Sequence, residues 1–228
     1  LELPVVYSSQ SAQRFAVGVV KLLDKLGVVD FLSFGSECGD ITSLTECADI
    51  VNSDDFNTLL EEKIKSGMSY PAARTEGFIK NYPNINKSLI DSPNNILAIE
   101  YLNALKNINS KIKPVTIARN FDFASASDIR QKLLDNEDVS DLIPTKTRKT
   151  YDYSVFEKLV LYNFRKESPK ALQQICDMSE GLEHKFKKAL QTSLTLEEFA
   201  DAVKSKRYTR TRIDRIIANS LLDIRDEY

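Results

Sequence analysis

The residues best suited to chemistry in this chain follow a short strand-like run, Pro114–Ala118. Arg119 ends that run, and Ser125 then begins a predicted helix with Ser127 and Arg130 in its first turns. The free N–H groups and the dipole of a helix N-terminus favour an anion, and serine hydroxyls and an arginine add further donors. This pattern predicts phosphate binding beyond the C-terminal end of a strand.

The same residues also have a plainer interpretation. Asp128 stands three residues after Ser125, which is the spacing of a capping box, so Ser125 could serve only to cap its helix. Arg130 would then be a solvated charge. The spacing alone leaves both interpretations open.

Two other positions are predicted to lie near this anion site. Gly35 follows the apolar run Val28–Phe34, and a glycine directly after a buried strand lets a ligand approach the backbone closely. A plain strand-to-helix turn is the alternative. Asn94 opens a predicted helix with apolar residues at helical spacing. Because Gly35 and Arg119 both follow strands, they are expected at the same edge of a parallel sheet.

The first part of the chain alternates strands and helices. A strand is predicted at Leu1–Tyr7, and the turn-rich segment Asn84–Ser92 is predicted to be a surface loop. The predicted helices are Ser9–Gly27, Thr42–Val51, Asp55–Ser66 and Ser69–Asn81. This order is typical of an α/β domain with a doubly wound parallel sheet, which we predict over residues 1–140.

The second part of the chain, residues 150–228, is predicted to be an all-helical domain after a polar linker at Asn136–Tyr153. The predicted helices are Ser154–Lys166, Ser168–Met178, Glu180–Thr192, Thr195–Lys204 and Thr209–Ile224. From Thr145 to Tyr228 there are 17 Lys and Arg against 13 Asp and Glu, although the whole chain has 31 against 33. A polyanionic partner is therefore expected on the second part.

A compact basic stretch, Lys206–Arg215, is the best candidate for contacts with RNA phosphates. Its candidate RNA-binding residues are Lys206, Arg207, Tyr208, Arg210, Arg212 and Arg215. The tyrosine could stack on a base. A solvated helix face is the alternative, and charged helix faces are usually of that kind.

Composition excludes several classes of protein. No apolar run approaches the roughly 20 residues of a membrane span. Three cysteines and one histidine among 228 residues predict neither a disulfide framework nor a zinc cluster, and no carboxylates are spaced as a dedicated metal site. A cytoplasmic location is the default expectation. His184 has no Ser, Cys or Asp partner at suggestive spacing and is predicted to be structural or on the surface.

Several motifs, in conserved order along nearly the whole chain, resemble the bacterial tRNA(Met) cytidine acetate ligase family of the nucleotidyltransferase superfamily. They are S-Q-S-A-x-x-F-A-x-G at Ser9–Gly18, F-G-S-E at Phe34–Glu37, G-x-S-Y-P-A-A at Gly67–Ala73, P-N-N-I-L at Pro93–Leu97, A-S-A-S-x-I-R at Ala124–Arg130, E-G-L-E-H at Glu180–His184 and K-R-Y-T-x-T-R at Lys206–Arg212.

The resemblance implies an incomplete Rossmann-like nucleotidyltransferase domain over residues 1–140, followed by a helical tRNA-binding domain. It also implies an enzyme that activates acetate with ATP to acetyl-adenylate and passes the acetyl group to N4 of the wobble cytidine of elongator tRNA(Met). It implies ATP contacts from Gly35, Asn94 and Arg119. The phosphate-binding element of the superfamily corresponds to Ser125, Ser127 and Arg130. Mg²⁺ is expected to accompany the ATP.

The chain departs from the family in one respect. The family begins with a strand and an N-P-F-H-N-G-H segment, whose histidines stabilise charge on the α-phosphate. Nothing in these 228 residues matches that segment. We therefore expect the catalytic histidines to be absent, the chain alone to be inactive, and an uncovered sheet edge to lower its stability or promote dimerisation.

Two other functions fit the sequence. One is an adenylyl transferase acting on a small-molecule acid or phosphate ester, which would not bind tRNA. The other is a non-catalytic RNA-binding protein, which would not bind ATP. The acid that is activated and the basis of tRNA specificity cannot be derived from the residues.

Overall fold

The computed structural model of the chain describes residues 2–83, 85–120, 122–143 and 154–226. Within these ranges the chain forms two strands, β1 (Phe31–Ser36) and β2 (Lys113–Ala118). The helices are α1 (Val5–Ser8), α2 (Ala12–Leu26), α3 (Ile41–Val51), α4 (Asp54–Lys65), α5 (Tyr70–Asn81), α6 (Lys87–Asp91), α7 (Pro93–Asn107), α8 (Ala126–Leu134), α9 (Ser154–Lys166), α10 (Pro169–Leu172), α11 (Leu182–Ala189), α12 (Leu196–Val203) and α13 (Arg210–Leu221). No described helix is both long and apolar enough to cross a membrane.

The two strands pair in parallel, from Phe31 opposite Lys113 to Ser36 opposite Ala118. Helices α3 to α7 form the crossover between them, as a parallel pair requires. The predicted α/β fold with a parallel sheet is therefore confirmed. Helix α7 packs against the strands, and the rings of Phe34 and Tyr101 lie 5.5 Å apart.

Local sequence signals set most helix ends. The Ser11 hydroxyl accepts from Arg14 N at the start of α2, and Gly27 ends that helix in the left-handed region at φ 66°, where glycine is favoured. The capping box that Ser125 and Asp128 predict at α8 is confirmed. Residues 195 and 198 form a second box at α12.

Aromatic residues anchor two separate hydrophobic clusters. In the first part of the chain, Phe56 and Phe78 are fully buried with ring centroids 4.9 Å apart. In the last part, Phe164, Phe186 and Phe199 form a buried trio, and the last two make an edge-to-face contact at 4.8 Å. Residues 144–153 of the predicted linker lie outside the described ranges.

The predicted N-terminal strand is wrong, because residues Val5 to Ser8 form the short helix α1. The ring of Tyr7 lies against Gly18 of α2, and a side chain at Gly18 would collide with it. Docking onto α2 therefore outweighs the β-propensity of the two valines, which is a weak preference that tertiary contacts often override.

Two other predictions needed correction. The segment predicted as a surface loop contains α6, whose start is capped by the Asn86 side chain accepting from Ser88 N. The helix predicted at Ser168–Met178 stops at Leu172. The following residues instead pair with the C-terminal segment, where Cys176 N donates to Ile224 O at 3.1 Å.

Element boundaries elsewhere differ by a few residues. Strand β1 starts at Phe31, three residues later than predicted, because Val28 is 80% exposed and precedes the pairing with β2. Helix α11 ends at Ala189, three residues early, and α13 at Leu221.

Candidate functional site

The parallel register places the ends of β1 and β2 side by side. Gly35 pairs with Ile117 and Ser36 with Ala118, and Arg119 N donates to Ser36 O at 2.9 Å. The structure therefore brings Gly35 and Arg119 to the same sheet edge, as the sequence predicts. Ligands in open parallel sheets bind beyond this edge.

Gly35 leaves open space above the strand. A Cβ added at Gly35 would meet only Ile117 O among the described residues, at 4.0 Å. The surrounding chain therefore does not require a glycine here on steric grounds. The space is available for a ligand that approaches the backbone.

Gly39, in contrast, is required by the chain itself. Its φ is +65°, and an added Cβ would lie 2.6 Å from the Cβ of Ala118. The loop after β1 therefore crosses closely over the end of β2, which fixes its path at the site.

Glu37, the next charged residue after β1, caps the N-terminus of α7. Its Oε1 accepts from the side chain of Asn94 at 2.9 Å, and its Oε2 accepts from the backbone N of Asn95 at 2.9 Å. Ser92, at the N-cap position, makes no side-chain capping bond. A carboxylate thus occupies the end of α7 that favours an anion.

Arg119 approaches the same carboxylate. Its Nη1 lies 3.8 Å from Oε1 of Glu37. Glu37 therefore connects Asn94, on the helix, with Arg119, after the second strand. Two of the three predicted ATP-binding residues thus contact one carboxylate.

Asn95 and Ser36 fix the loop between β1 and α3 from inside the protein, since both are buried. Oδ1 of Asn95 accepts from Glu37 N at 2.9 Å and from Cys38 N at 3.2 Å. The Ser36 hydroxyl pairs with that of Thr116 at 2.7 Å and accepts from Gly39 N at 3.0 Å. The backbone around the site is therefore held by buried hydrogen bonds.

Sequence reasoning missed the roles of Glu37, Asn95 and Ser36. Glu37 and Asn95 belong to the F-G-S-E and P-N-N motifs, which was a usable signal for both residues. Their contact joins positions 58 residues apart. A pattern read along the chain does not show such a pairing.

The start of α8 lies close enough to Arg119 for the two to interact electrostatically. Hydrogen bonds from the hydroxyl and backbone N of Ser125 lower the pKa of Asp128, and the positive charge of Arg119 lowers it further. Ser127 accepts from Arg130 Nη2 at 3.3 Å. The predicted phosphate-binding residues are thus on one exposed helix start, where the carboxylate of Asp128 already occupies a capping position.

The basic stretch lies at the start of α13 and in the turn before it, and its arginines have partners within the chain. Arg210 makes two bonds of 2.7 Å to Glu197. Arg215 donates to Asp177 at 2.7 Å and Arg207 to Glu180 at 2.9 Å. RNA phosphates would therefore share or replace these acidic partners.

Tyr208 does not present a stacking face, which corrects that part of the prediction. It is 9% exposed, and its hydroxyl donates to Glu180 O at 2.8 Å. The cations of Lys185, Arg207 and Arg212 lie 5.5–5.8 Å from the ring centroid. The ring therefore packs against the arginine side chains of the basic stretch. Lys206 is exposed.

Known proteins are similar to this chain over nearly its whole length. A tRNA(Met) cytidine acetate ligase of Thermoanaerobacter sp. is 40% identical over 251 residues, which cover 98% of this chain and 62% of that protein. The ligase of the same name from Acetivibrio thermocellus is 36% identical over 256 residues, covering 98% and 61%. The chain therefore spans about three-fifths of the length of these relatives.

Solved structures agree with the sequence comparison. The crystal structure of Thermotoga maritima TmcAL bound with alpha-thio ATP superposes with a TM-score of 0.91 at 31% identity, covering 100% of this chain and 60% of that one. The apo form of the same protein gives a TM-score of 0.89. The family model described as HIGH Nucleotidyl Transferase matches residues 1–228. The chain belongs to the HIGH nucleotidyl transferase family.

Proposed function

We propose that this chain is part of an ATP-dependent tRNA(Met) cytidine acetate ligase. Residues 1–140 would form the nucleotidyltransferase-like domain and residues 150–228 the helical tRNA-binding domain. The observation that carries the proposal is the convergence of Asn94 and Arg119 on Glu37 at the end of a parallel sheet. The relative with a TM-score of 0.91 is described as bound to an ATP analogue, which supports the same ligand here.

ATP would bind across the ends of β1 and β2. Gly35 leaves room for the nucleotide against the backbone, while Asn94 offers an amide and Arg119 a cation. Ser125, Ser127 and Arg130 at the start of α8 would hold phosphate oxygens. With ATP bound, Arg119 would interact with both the Glu37 carboxylate and the phosphates.

The reaction has two steps. A carboxylate oxygen of acetate attacks the α-phosphorus, the bond to the bridging oxygen breaks, and pyrophosphate leaves. The N4 amine of the wobble cytidine of elongator tRNA(Met) then attacks the acetyl carbonyl, AMP leaves, and the amine loses a proton. Positioning and charge neutralisation by the site would supply the catalysis.

We infer that any Mg²⁺ arrives with the nucleotide. The described residues contain no group of three His, Cys, Asp or Glu side chains that could hold a metal, and Glu37 is already engaged at α7. Mg²⁺ often binds mainly through substrate phosphates and water. When bound, it would neutralise the leaving pyrophosphate.

The test is an acetylation assay on the native protein, with elongator tRNA(Met), ATP and labelled acetate. Label in the tRNA that depends on ATP supports the proposal. Asn94→Ala and Arg119→Ala should each weaken ATP binding at least tenfold, whereas Asn57→Ala, at an exposed position on α4, should not. ATP binding without tRNA acetylation would point instead to an adenylyl transferase for another acid.

A further inference from the structure

A cavity of about 820 Å³ lies apart from the sheet edge, between α5–α7 and the start of α13. We name it the Arg74 pocket. Tyr70, Ile79 and Ile96 line it from the first part of the chain, and Thr209 and Arg212 line it from the last part. Its volume is within the roughly 300–1,000 Å³ of small-molecule sites.

The floor of the Arg74 pocket is a buried pair of opposite charges. Arg74 and Glu100 are each 4% exposed. Nη1 of Arg74 donates to Ile90 O at 3.0 Å, and its guanidinium lies 5.0 Å from the ring centroid of Phe78. These contacts hold the guanidinium plane in place.

The pair is incompletely satisfied. Nε of Arg74 is 4.0 Å from Oε1 of Glu100, which is too long for a hydrogen bond. Across the part of the chain that the structure describes, Nε and Nη2 of Arg74 have no hydrogen-bond partner. Leaving the buried donors of a charged group without hydrogen-bond partners costs free energy. The floor is therefore suited to a ligand that offers an acceptor.

Glu100 adds the opposite requirement. Burial raises the pKa of its carboxyl, although Arg74 and a hydrogen bond from Asn103 oppose the rise. A ligand group that donates to this carboxyl would replace lost hydration. The floor therefore matches a ligand edge that carries an acceptor beside a donor, as the hydrogen-bonding edge of a nucleobase does.

The walls fit a flat, largely apolar ligand body. Tyr70 and Ile79 are 41% and 43% exposed, and Ile96 and Pro71 also line the cavity. Unpaired bases of RNA are bound in this way, between apolar or aromatic side chains with polar groups at their edges.

The basic stretch also contributes to the lining of the pocket. Arg207, Arg212 and Arg215 line it together with the hydroxyl-bearing Thr209 and Thr211. An RNA backbone lying on these residues would bring its bases to the entrance. The pocket and the predicted RNA surface are thus continuous.

Helix α7 separates the pocket from the ATP site. Ile96 and Glu100 line the pocket, whereas Asn94 contacts Glu37 and Tyr101 contacts Phe34 of β1. Since side chains seven residues apart share a helix face, the strand-facing side of α7 is not the side that lines the pocket. A base in this pocket is therefore not the one beside the ATP.

We propose that the Arg74 pocket binds one unpaired base of the RNA substrate, with Arg74 and Glu100 reading its edge. This inference rests on the proposed function and adds a second contact that would hold the RNA while a different base reacts. Tyr70 and Ile79 flank the bound base.

The experiment uses a fluorescent reporter in the pocket wall. The chain has no tryptophan, so Ile79→Trp introduces a single one, and Ala202→Trp on α12 provides a control outside the pocket. Single-stranded RNA pentanucleotides and the four ribonucleoside 5′-monophosphates are titrated with ATP at saturation. We expect the RNA to quench the reporter at least twofold and to leave the control unchanged.

Two further variants test the floor and the wall. In the reporter background, Glu100→Gln and Tyr70→Leu should each weaken the RNA at least tenfold, and the matched Glu61→Gln on α4 should not. The change at residue 70 leaves the buried pair intact, so the test survives if the change at residue 100 prevents folding.

Several outcomes would overturn the inference. They are equal quenching of both tryptophans, no quenching at millimolar RNA, and unchanged affinity in both floor and wall variants. Mononucleotides that bind as tightly as the RNA would assign the pocket to free nucleotides instead. Because ATP binding and acetylation are measured separately, failure of the proposed function would leave this result interpretable.

Discussion

Glu37 and Asn95 are hydrogen-bonded to each other in both directions. Glu37 N donates to Oδ1 of Asn95 at 2.9 Å, and Asn95 N donates to Oε2 of Glu37 at 2.9 Å. This reciprocal pair joins the loop after β1 to the first turn of α7. It holds Glu37, the carboxylate that both Asn94 and Arg119 contact, in place.

Asn95→Ala tests this contact. The change leaves the backbone N–H groups of Glu37 and Cys38 without their acceptor, so we expect the free energy of unfolding to fall by about 1–3 kcal/mol. ATP affinity should fall with it, because the loop that carries Glu37, the shared partner of Asn94 and Arg119, is held less firmly. Urea denaturation and calorimetric ATP titration measure the two effects. Asn57→Ala is the exposed control, and a loss no larger than the control's would contradict the role assigned to Asn95.

Gly35→Ala separates ligand binding from stability. A Cβ fits within the chain, with Ile117 O at 4.0 Å as its nearest neighbour, so we expect the melting temperature to stay within a few degrees. ATP affinity should fall at least tenfold because the methyl group occupies the space above the strand. Ser33→Ala, on the same strand face, is the control. Unchanged ATP affinity would show that the nucleotide does not bind against Gly35.

The sequence was most informative about local structure. Helical spacing and capping residues predicted α2, α4, α7 and α8, because a helix depends on residues three or four apart. The strand predicted at the N-terminus was wrong because a contact between Tyr7 and Gly18 decides that segment. Such contacts are not encoded in local spacing.

In the candidate site, too, residues set by local sequence signals were predictable and contacts between distant residues were not. Gly35 and Arg119 were predictable because each follows an apolar strand, and parallel strands end at a common edge. The capping role of Glu37 was not predictable, since its partners lie 57 and 58 residues away. The Arg74 pocket was also missed, because its walls come from separate parts of the chain.

The three free cysteines should react at different rates. Cys38 is exposed beside the site, whereas Cys47 and Cys176 are buried. Burial raises the pKa of Cys47 to about 11 and also raises that of Cys176, so both remain neutral thiols at pH 8. We expect one fast equivalent with a disulfide reagent and two that react only on unfolding. Saturating ATP should slow the fast equivalent, and unchanged kinetics would place ATP away from Cys38.

Asp128 predicts a pH dependence of stability. Its pKa is lowered in the folded protein by the hydrogen bonds of Ser125. The ionised carboxylate therefore stabilises the folded protein, and this contribution to stability is fully present above the unfolded pKa of roughly 4. That contribution is lost as the pH falls through the folded value. Asp128→Asn should therefore lower the melting temperature at pH 7 and have less effect below about pH 4. An effect that is constant across this range would exclude the charged capping interaction.

The basic stretch predicts a measurable salt dependence of RNA binding. Each phosphate contact contributes roughly 0.7–0.9 to the slope of log affinity against log salt concentration. Lys206→Ala should reduce the steepness of that slope by up to the contribution of one phosphate contact. It should leave the fold unchanged, since Lys206 is exposed.

Arg212→Ala and Arg215→Ala should also weaken tRNA binding and flatten the slope. Both should lower stability as well, because these arginines donate hydrogen bonds to Asp177. Measuring the slope and the melting temperature together distinguishes the two effects, and Lys80→Ala on α5 is the control. A slope that stays unchanged in all three variants would show that these side chains serve only in packing and that tRNA does not bind this surface.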